Sequence, residues 1–129
     1  MAVNAATDVR DVIERYYEYA NAGDWDSWCD LFADDLVMDE QLAGRVEGLA
    51  TLRSMMAGFP AAYASFANRA RHILVDGDEA AVVSHISART ASGQAIEAEV
   101  MNYFRVRDGR IAYMSNVHDT VPFRPALAG

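Results

Sequence analysis

Apolar side chains return every three or four positions from Val9 through Val12, Ile13, Tyr16 and Tyr17 to Ala20, with charged residues between them. This spacing predicts an amphipathic helix. Residues 1–7 read as a frayed leader, Thr7 or Asp8 as the cap, and Asn21-Ala22-Gly23 as the stop. Asp24 then caps a second, shorter helix whose apolar stripe is Trp25, Trp28, Leu31 and Phe32. Asp34-Asp35 breaks it, and Leu36 to Glu40 reads as a short extended segment. Gly44 and Gly48 bracket a turn carrying Arg45 and Val46. Helical character returns from Leu49 to about Phe59, where Pro60 is expected to end it.

The period shortens from about Asn68. Arg71–Val75, Ala80–Thr90, Gln94–Val106 and Arg110–His118 read as four strands, separated by the turn words Asp76-Gly77-Asp78, Ala91-Ser92-Gly93 and Arg107-Asp108-Gly109. Three helices followed by an antiparallel meander predict an α+β fold, in which helices cover one side of a sheet curled around a pocket. No repeats, low-complexity tracts or linkers interrupt the pattern, so the 129 residues read as one domain.

Composition narrows the function classes. With 52% hydrophobic residues the chain can build a core, and a formal charge of −8 disfavours nucleic-acid backbones and anionic membranes as partners. Cys29 is the only cysteine, which rules out an internal disulfide and a cysteine metal cage. No signal peptide or bilayer-spanning run is legible, and a reducing, cytoplasmic setting is the expectation. The three histidines, His72, His85 and His118, have no ligand spacing, so no metal is expected. His72, beside Arg71 at a strand start, reads as structural, and the Trp25/Trp28 pair as core.

The segment Leu36 to Glu40 opens apolar and closes on carboxylates. Such a strand can hold an acid or base at the mouth of an apolar cavity, where desolvation is expected to raise its pKa toward that of a general base. Strand parity with Leu36 and Met38 points Glu40 inward, with Asp39 the alternative.

Several local words resemble the nuclear transport factor 2-like superfamily: Arg15-Tyr16 late in the first helix, Gly23-Asp24-Trp25, Leu31-Phe32-Ala33-Asp34-Asp35, a Gly before the third helix, and Phe104-Arg105-Val106-Arg107-Asp108-Gly109-Arg110-Ile111. That group includes ketosteroid isomerases, SnoaL-like polyketide cyclases, scytalone-type dehydratases and limonene epoxide hydrolases. The resemblance spans Val9 to Thr120 and implies a cone-like fold of three helices on a strongly curved antiparallel sheet. Pushed onto the ketosteroid isomerases, it implies an oxyanion-hole tyrosine at Tyr16, a proton-shuttling carboxylate at Glu40, a second oxyanion donor at Asn102 and a pocket residue at His118. The base is here Glu instead of Asp, Gln41 stands where proline is usual, and Asn102 replaces a carboxylic acid. An amide can still donate a hydrogen bond to an oxyanion.

Strand alternation extends this assignment. Ala98, Val100 and Phe104 share the face of Asn102, with Glu97, Glu99 and Tyr103 opposite. Met114, Asn116 and His118 face together, and the alignment turns Val83, His85, Ser87 and Arg89 inward. His85 is thus a catalytic candidate or an exposed residue of the outer face, and Asp119 a partner of His118 or only a turn. Val100, Met114, Asn116, Ser87, Arg89 and Phe59 are the expected substrate contacts, Arg89 suggesting an anionic group.

The resemblance implies acid–base chemistry without a cofactor on a small carbonyl-bearing molecule. Glu40 would abstract a proton, Tyr16 and Asn102 would stabilise the enolate, and His118 or His85 would relay the proton. The outcome would be isomerisation or an aldol-type ring closure. A dehydratase, with His85 protonating a leaving hydroxyl, and a non-catalytic binding protein are the alternatives. Epoxide hydrolysis fits poorly, because an aspartate of that branch corresponds to Asn116. The superfamily also suggests a homodimer through the outer sheet face, with Arg105 or Arg107 as partners for Glu97 and Glu99.

Overall fold

The computed structural model describes residues 5–124, with side chains from Asp8 onward. Helix α1 spans Ala5–Ala22 and α2 spans Trp25–Asp30; strands β1 (Phe32–Glu40) and β2 (Gly44–Glu47) follow. After them come α3 (Leu49–Ala57), α4 (Phe59–Ala62), β3 (Tyr63–Asp76), β4 (Glu79–Thr90), β5 (Ala95–Arg107), β6 (Arg110–His118) and a 3-10 turn at Val121–Phe123. This is an α+β fold. Its six strands form one open sheet in the order β2-β1-β6-β5-β4-β3. All neighbours are antiparallel except β1 and β6, which run parallel. The sheet is therefore mixed, because the chain crosses from β1 to the far edge and returns beside it only at the end.

Several boundaries differ from the sequence expectation. Helix α1 already includes Ala5, so Asp8 lies in its first turn instead of capping it, and the leader's residues 1–4 lie outside the described residues. Asp24 does cap α2, accepting from the Ser27 N–H at 3.2 Å. Phe32 belongs to β1, and Asp34 and Asp35 sit inside that strand at its irregularity. The Arg45-Val46 segment is β2, paired Met38 to Val46 and Asp39 to Arg45, and not a turn. Pro60 is the second residue of the one-turn α4, after Gly58 and Phe59, since a proline without an N–H is tolerated in a first helical turn. Strand β3 begins eight residues before Arg71, at Tyr63.

The core lies where α1 and α2 cover the sheet. Val9, Ile13, Tyr16 and Tyr17 pack with Trp28, Phe32, Leu36, Phe104, Ile111 and Met114. Tyr16 meets Tyr17, Trp28 and Phe104 at ring-centroid distances of 4.8, 5.4 and 5.1 Å. A smaller cluster of Ile86, Ala88, Ile96, Ala98 and Val100 lies under Phe123 of the 3-10 turn. Between the two, helices and sheet part, and a cavity remains.

Candidate active site

The cavity has a volume of about 250 Å³. Trp25 and Trp28 from α2, Met55 and Met56 from α3, Phe59 from α4 and Tyr63 and Phe66 from β3 supply its apolar wall. Its polar groups include Tyr16, Glu40, Asn68, Asn102, Asn116 and His118, and Tyr63 adds a hydroxyl. Trp25, read from sequence as core, joins Phe59 and Phe66 at 4.7 and 5.8 Å in an aromatic cluster lining the cavity.

Glu40 and His118 meet there. Glu40 ends β1 on the parity of the buried Leu36 and Met38, and its Oε1 lies 2.7 Å from His118 Nε2. Its Oε2 accepts the Leu42 and Ala43 backbone N–H groups at 2.7 and 2.9 Å. His118 Nδ1 faces the Asp119 carbonyl at 2.9 Å, and the Asp119 carboxylate accepts the Val121 N–H, so Asp119 both orients the ring and shapes the turn. A carbonyl only accepts, so Nδ1 carries a proton. The two N–H groups on Oε2 favour the ionised carboxylate, which leaves Nε2 as a donor too. The resting pair is a carboxylate and an imidazolium.

The Glu40 pKa reflects this. Burial pushes it up, but the hydrogen bonds from His118, Ala43 and Leu42 outweigh burial, and the net direction is down. The expectation of a carboxyl raised by desolvation is therefore corrected: a partner 78 residues away and a tight turn stabilise the anion. The His118 pKa is raised, chiefly by its bond to Glu40. Burial, then Tyr17 and Glu40, hold the Tyr16 phenol well above its ordinary value, so Tyr16 keeps its proton and can donate it in a hydrogen bond. Tyr63, which the sequence reading passed over, is raised by burial and by Glu40.

Asn102 is buried, and its Nδ2 donates to the Tyr17 hydroxyl at 2.8 Å while Oδ1 has no partner. A half-turn of this amide would keep one bond, from the Tyr17 hydroxyl to Oδ1, and place Nδ2 at the same buried point, so the expected second oxyanion donor is packed against Tyr17. Tyr17 thus positions a residue of the site, although its helical spacing marked it only as core.

The other candidates divide. Val100, Asn116 and Phe59 line the cavity, whereas Met114 faces inward but is fully buried in the core. His85, Ser87 and Arg89 are on the outer face, contrary to expectation. Val82 lies opposite Asn102 and Ser84 opposite Val100, and residues directly opposite share a face. The inward set of β4 is therefore Val82, Ser84, Ile86 and Ala88, one residue out of step with the alignment. His85 Nδ1 instead meets Glu99 at 2.7 Å and Nε2 meets Glu97 at 3.1 Å. Ser87 donates to Glu97 and Arg89 to the Gly93 carbonyl, both away from the cavity. Asp39, on the opposite parity from Glu40, accepts from Arg45 and the Tyr113 hydroxyl on the outer face. Asn68, also missed, owes its place to Asn21 at the end of α1: Asn21 Oδ1 accepts the Asn68 N–H at 2.6 Å and Nδ2 donates to the Asn68 carbonyl at 2.9 Å.

The family model of the SnoaL-like domain matches residues 13–114, most of the chain. The chain belongs to the SnoaL-like family. Solved structures with the same fold bear quite different names. The SnoaL-like chain superposes on a candidate SnoaL-like polyketide cyclase from Jannaschia sp. CCS1 with a TM-score of 0.80 and 16% identity, covering 100% of this chain and 97% of that one. A candidate ketosteroid isomerase from Kribbella flavida gives 0.76 and 18%, covering 92% and 82%. An LEH-like epoxide hydrolase from M. tuberculosis gives 0.81 and 18%, covering 97% and 92%. At such identities the likeness establishes the nuclear transport factor 2-like fold, which hosts many chemistries. No curated protein matches the chain.

Proposed function

We propose that this SnoaL-like domain is an acid–base enzyme that works without a cofactor on a small carbonyl-bearing molecule. The observation that carries the reading is the Glu40–His118 contact of 2.7 Å in the wall of an apolar cavity. Both ring nitrogens of His118 are engaged, and three of about four acceptor positions on Glu40 are filled. The free position makes Glu40 the group that meets the substrate. Glu40 takes a proton from the carbon beside the carbonyl, and His118 holds the carboxylate in place and balances its charge. Tyr16 donates to the developing enolate oxygen. Return of the proton to another carbon gives isomerisation; attack of the enolate on a second carbonyl gives ring closure.

A second reading is elimination of water, because the free position of Glu40 is the point of the pair open to a substrate. Glu40 would take the proton from carbon and return it to the leaving hydroxyl, with His118 holding the carboxylate and the outward His85 taking no part. For the assembly we propose a homodimer through the outer sheet face, where Met101 and Val117 are exposed apolar neighbours. On that face Arg71, His85 and Ser87 partner Glu97 and Glu99, while Arg105 approaches Tyr103 and Arg107 pairs with Asp35.

The test is deuterium exchange at the α-carbon of small enones and β-diketones, followed by NMR. Wild type should catalyse exchange, and Glu40→Gln should reduce it by about 10²–10⁴-fold, the usual contribution of a positioned base. Exchange that survives Glu40→Gln would remove Glu40 from the reaction.

A further inference from the structure

Two phenols line the cavity, Tyr16 from α1 and Tyr63 at the start of β3. They reach it from different sides. Tyr16 belongs to the larger core under the helices, whereas Tyr63 packs against the smaller cluster that holds Ile86, Ala88 and Val100. Neither hydroxyl has a hydrogen-bond partner among the described residues, and neither is closed off as the unpaired Trp28 Nε1 is. Each is therefore free to donate to a ligand. The proposed reaction so far uses only Tyr16. Asn102, the second donor implied by the resemblance, is packed against Tyr17, which leaves its place open.

Tyr63 is held firmly where it stands. Its backbone is extended, at φ −126° and ψ 128°, and pairs with Thr90. The Ala62 carbonyl before it accepts the Ala91 N–H at 3.0 Å. Its ring meets Phe59 and Phe66 at centroid distances of 4.7 and 5.7 Å. An aromatic cluster alone would be served by a third phenylalanine here. The hydroxyl is surplus to the packing.

Electrostatics suits that hydroxyl to a developing oxyanion. Burial, then the Glu40 carboxylate, raise the Tyr63 pKa, so the phenol keeps its proton and remains a donor. When Glu40 takes a proton from carbon, the C–H electron pair becomes the enolate double bond and the carbonyl π pair moves onto oxygen. Negative charge thus passes from Glu40 to the substrate. The field that opposed phenol acidity disappears, and the phenol becomes a better donor just as charge arrives on its acceptor. A hydrogen bond that strengthens in this way lowers the barrier instead of tightening ground-state binding.

We infer that Tyr63 is a further catalytic residue, donating a hydrogen bond to the substrate oxygen that becomes the enolate, beside Tyr16. Tyr63 keeps its own proton throughout. The inference rests on the reaction proposed above, and it gives the second donor of that site to the head of β3 instead of to Asn102.

Tyr63→Phe tests it, because the ring and its packing are kept and only the hydroxyl is removed. In deuterium exchange with cyclohexenone and acetylacetone, this variant should lower kcat at least about tenfold with KM little changed, as when one preorganised donor is lost. A second readout needs no turnover. The carbonyl resonance of cyclohexenone, isotopically labelled at that carbon, should move downfield on binding wild type, because a donated hydrogen bond polarises the carbonyl. The movement should be smaller in both Tyr63→Phe and Tyr16→Phe. A purely structural Tyr63 would change neither readout. Exchange lost in Glu40→Gln but unchanged in Tyr63→Phe would overturn the inference and leave the reaction standing. A wild type that leaves the carbonyl resonance unmoved would also overturn it. A wild type that polarises the carbonyl through Tyr63 but catalyses no exchange would support the Tyr63 hydrogen bond and remove Glu40 as the base.

Discussion

Glu40 shows what a single position can and cannot reveal. Its inward direction follows from alternation after Leu36 and Met38, and Asp39 accordingly turns out to Arg45. Its acidity does not follow from local sequence, because the groups that lower it are His118 and the N–H groups of Leu42 and Ala43. The signs give a pH window. The lowered Glu40 contributes stability above the ordinary glutamate value of 4.5, lost as pH falls through its folded pKa. The raised His118 contributes below the ordinary histidine value of 6.5, lost as pH rises through its own. The melting temperature of wild type minus that of His118→Asn should therefore be greatest between about 4.5 and 6.5 and shrink on either side. A difference that grows above neutral pH would mean that the imidazole is neutral at rest. Asn102 comes from the family resemblance, and that one inward anchor orders the rest of its strand. The same resemblance puts His85, Ser87 and Arg89 one residue out of step, because Val82 and not Val83 pairs with Asn102. Ala91–Gly93 closes the hairpin between the two strands, with the Thr90 N–H donating to the Gln94 carbonyl at 2.9 Å.

Among the elements, strongly periodic segments were readable and irregular ones were not. Helix α1 and strands β4 to β6 emerge close to their sequence limits. The first half of β3, Tyr63 to Ala70, mixes small, aromatic and charged residues without clean alternation. It is an edge strand held by β4 on one side and by Asn21, and bulges near Tyr63 and Ala70 bend it. Strand β2 is short, and only its pairing with β1 makes it a strand. Gly48 joins it to α3, whose Leu52, Met55 and Met56 line the cavity. It has φ 89° and ψ 145°, donates to the Leu36 carbonyl at 2.8 Å and accepts from the Leu52 N–H at 3.2 Å. Side-chain-bearing residues avoid that region, although a Cβ would meet nothing closer than the Asp34 carbonyl at 3.9 Å. Gly48→Ala should cost about 1–3 kcal/mol in denaturant unfolding through backbone strain alone. A neutral result would mean that the β2–α3 junction relaxes.

For the whole molecule, α+β class and one-sided helices follow from the order of periods, but sheet order does not. Nothing in the β1 sequence announces that its second neighbour is β6, since that pairing depends on where the meander ends. The outer face is likewise visible only after assembly. Val83, Met101 and Val117 fall in one row across β4, β5 and β6, with 58% and 53% of the latter two exposed. Glu97, Glu99, His85 and Arg71 lie on the same face. If two copies meet there, Met101→Lys should weaken the dimer at least about tenfold by light scattering while leaving the melting temperature of the monomer nearly unchanged, as surface substitutions do. A wild type that is monomeric at all concentrations would exclude this assembly.

The parallel contact of β1 with β6 has a consequence for any attempt to divide the protein. A cut at the Gly77 turn between β3 and β4 would leave Glu40, Tyr16 and Asn68 on one piece and Asn102, Asn116 and His118 on the other. Neither half carries both Glu40 and His118, so if these act as proposed both should be silent, and exchange activity should return only when the pieces find each other. A newly synthesised chain likewise cannot form the Glu40–His118 pair until its last strand has been added.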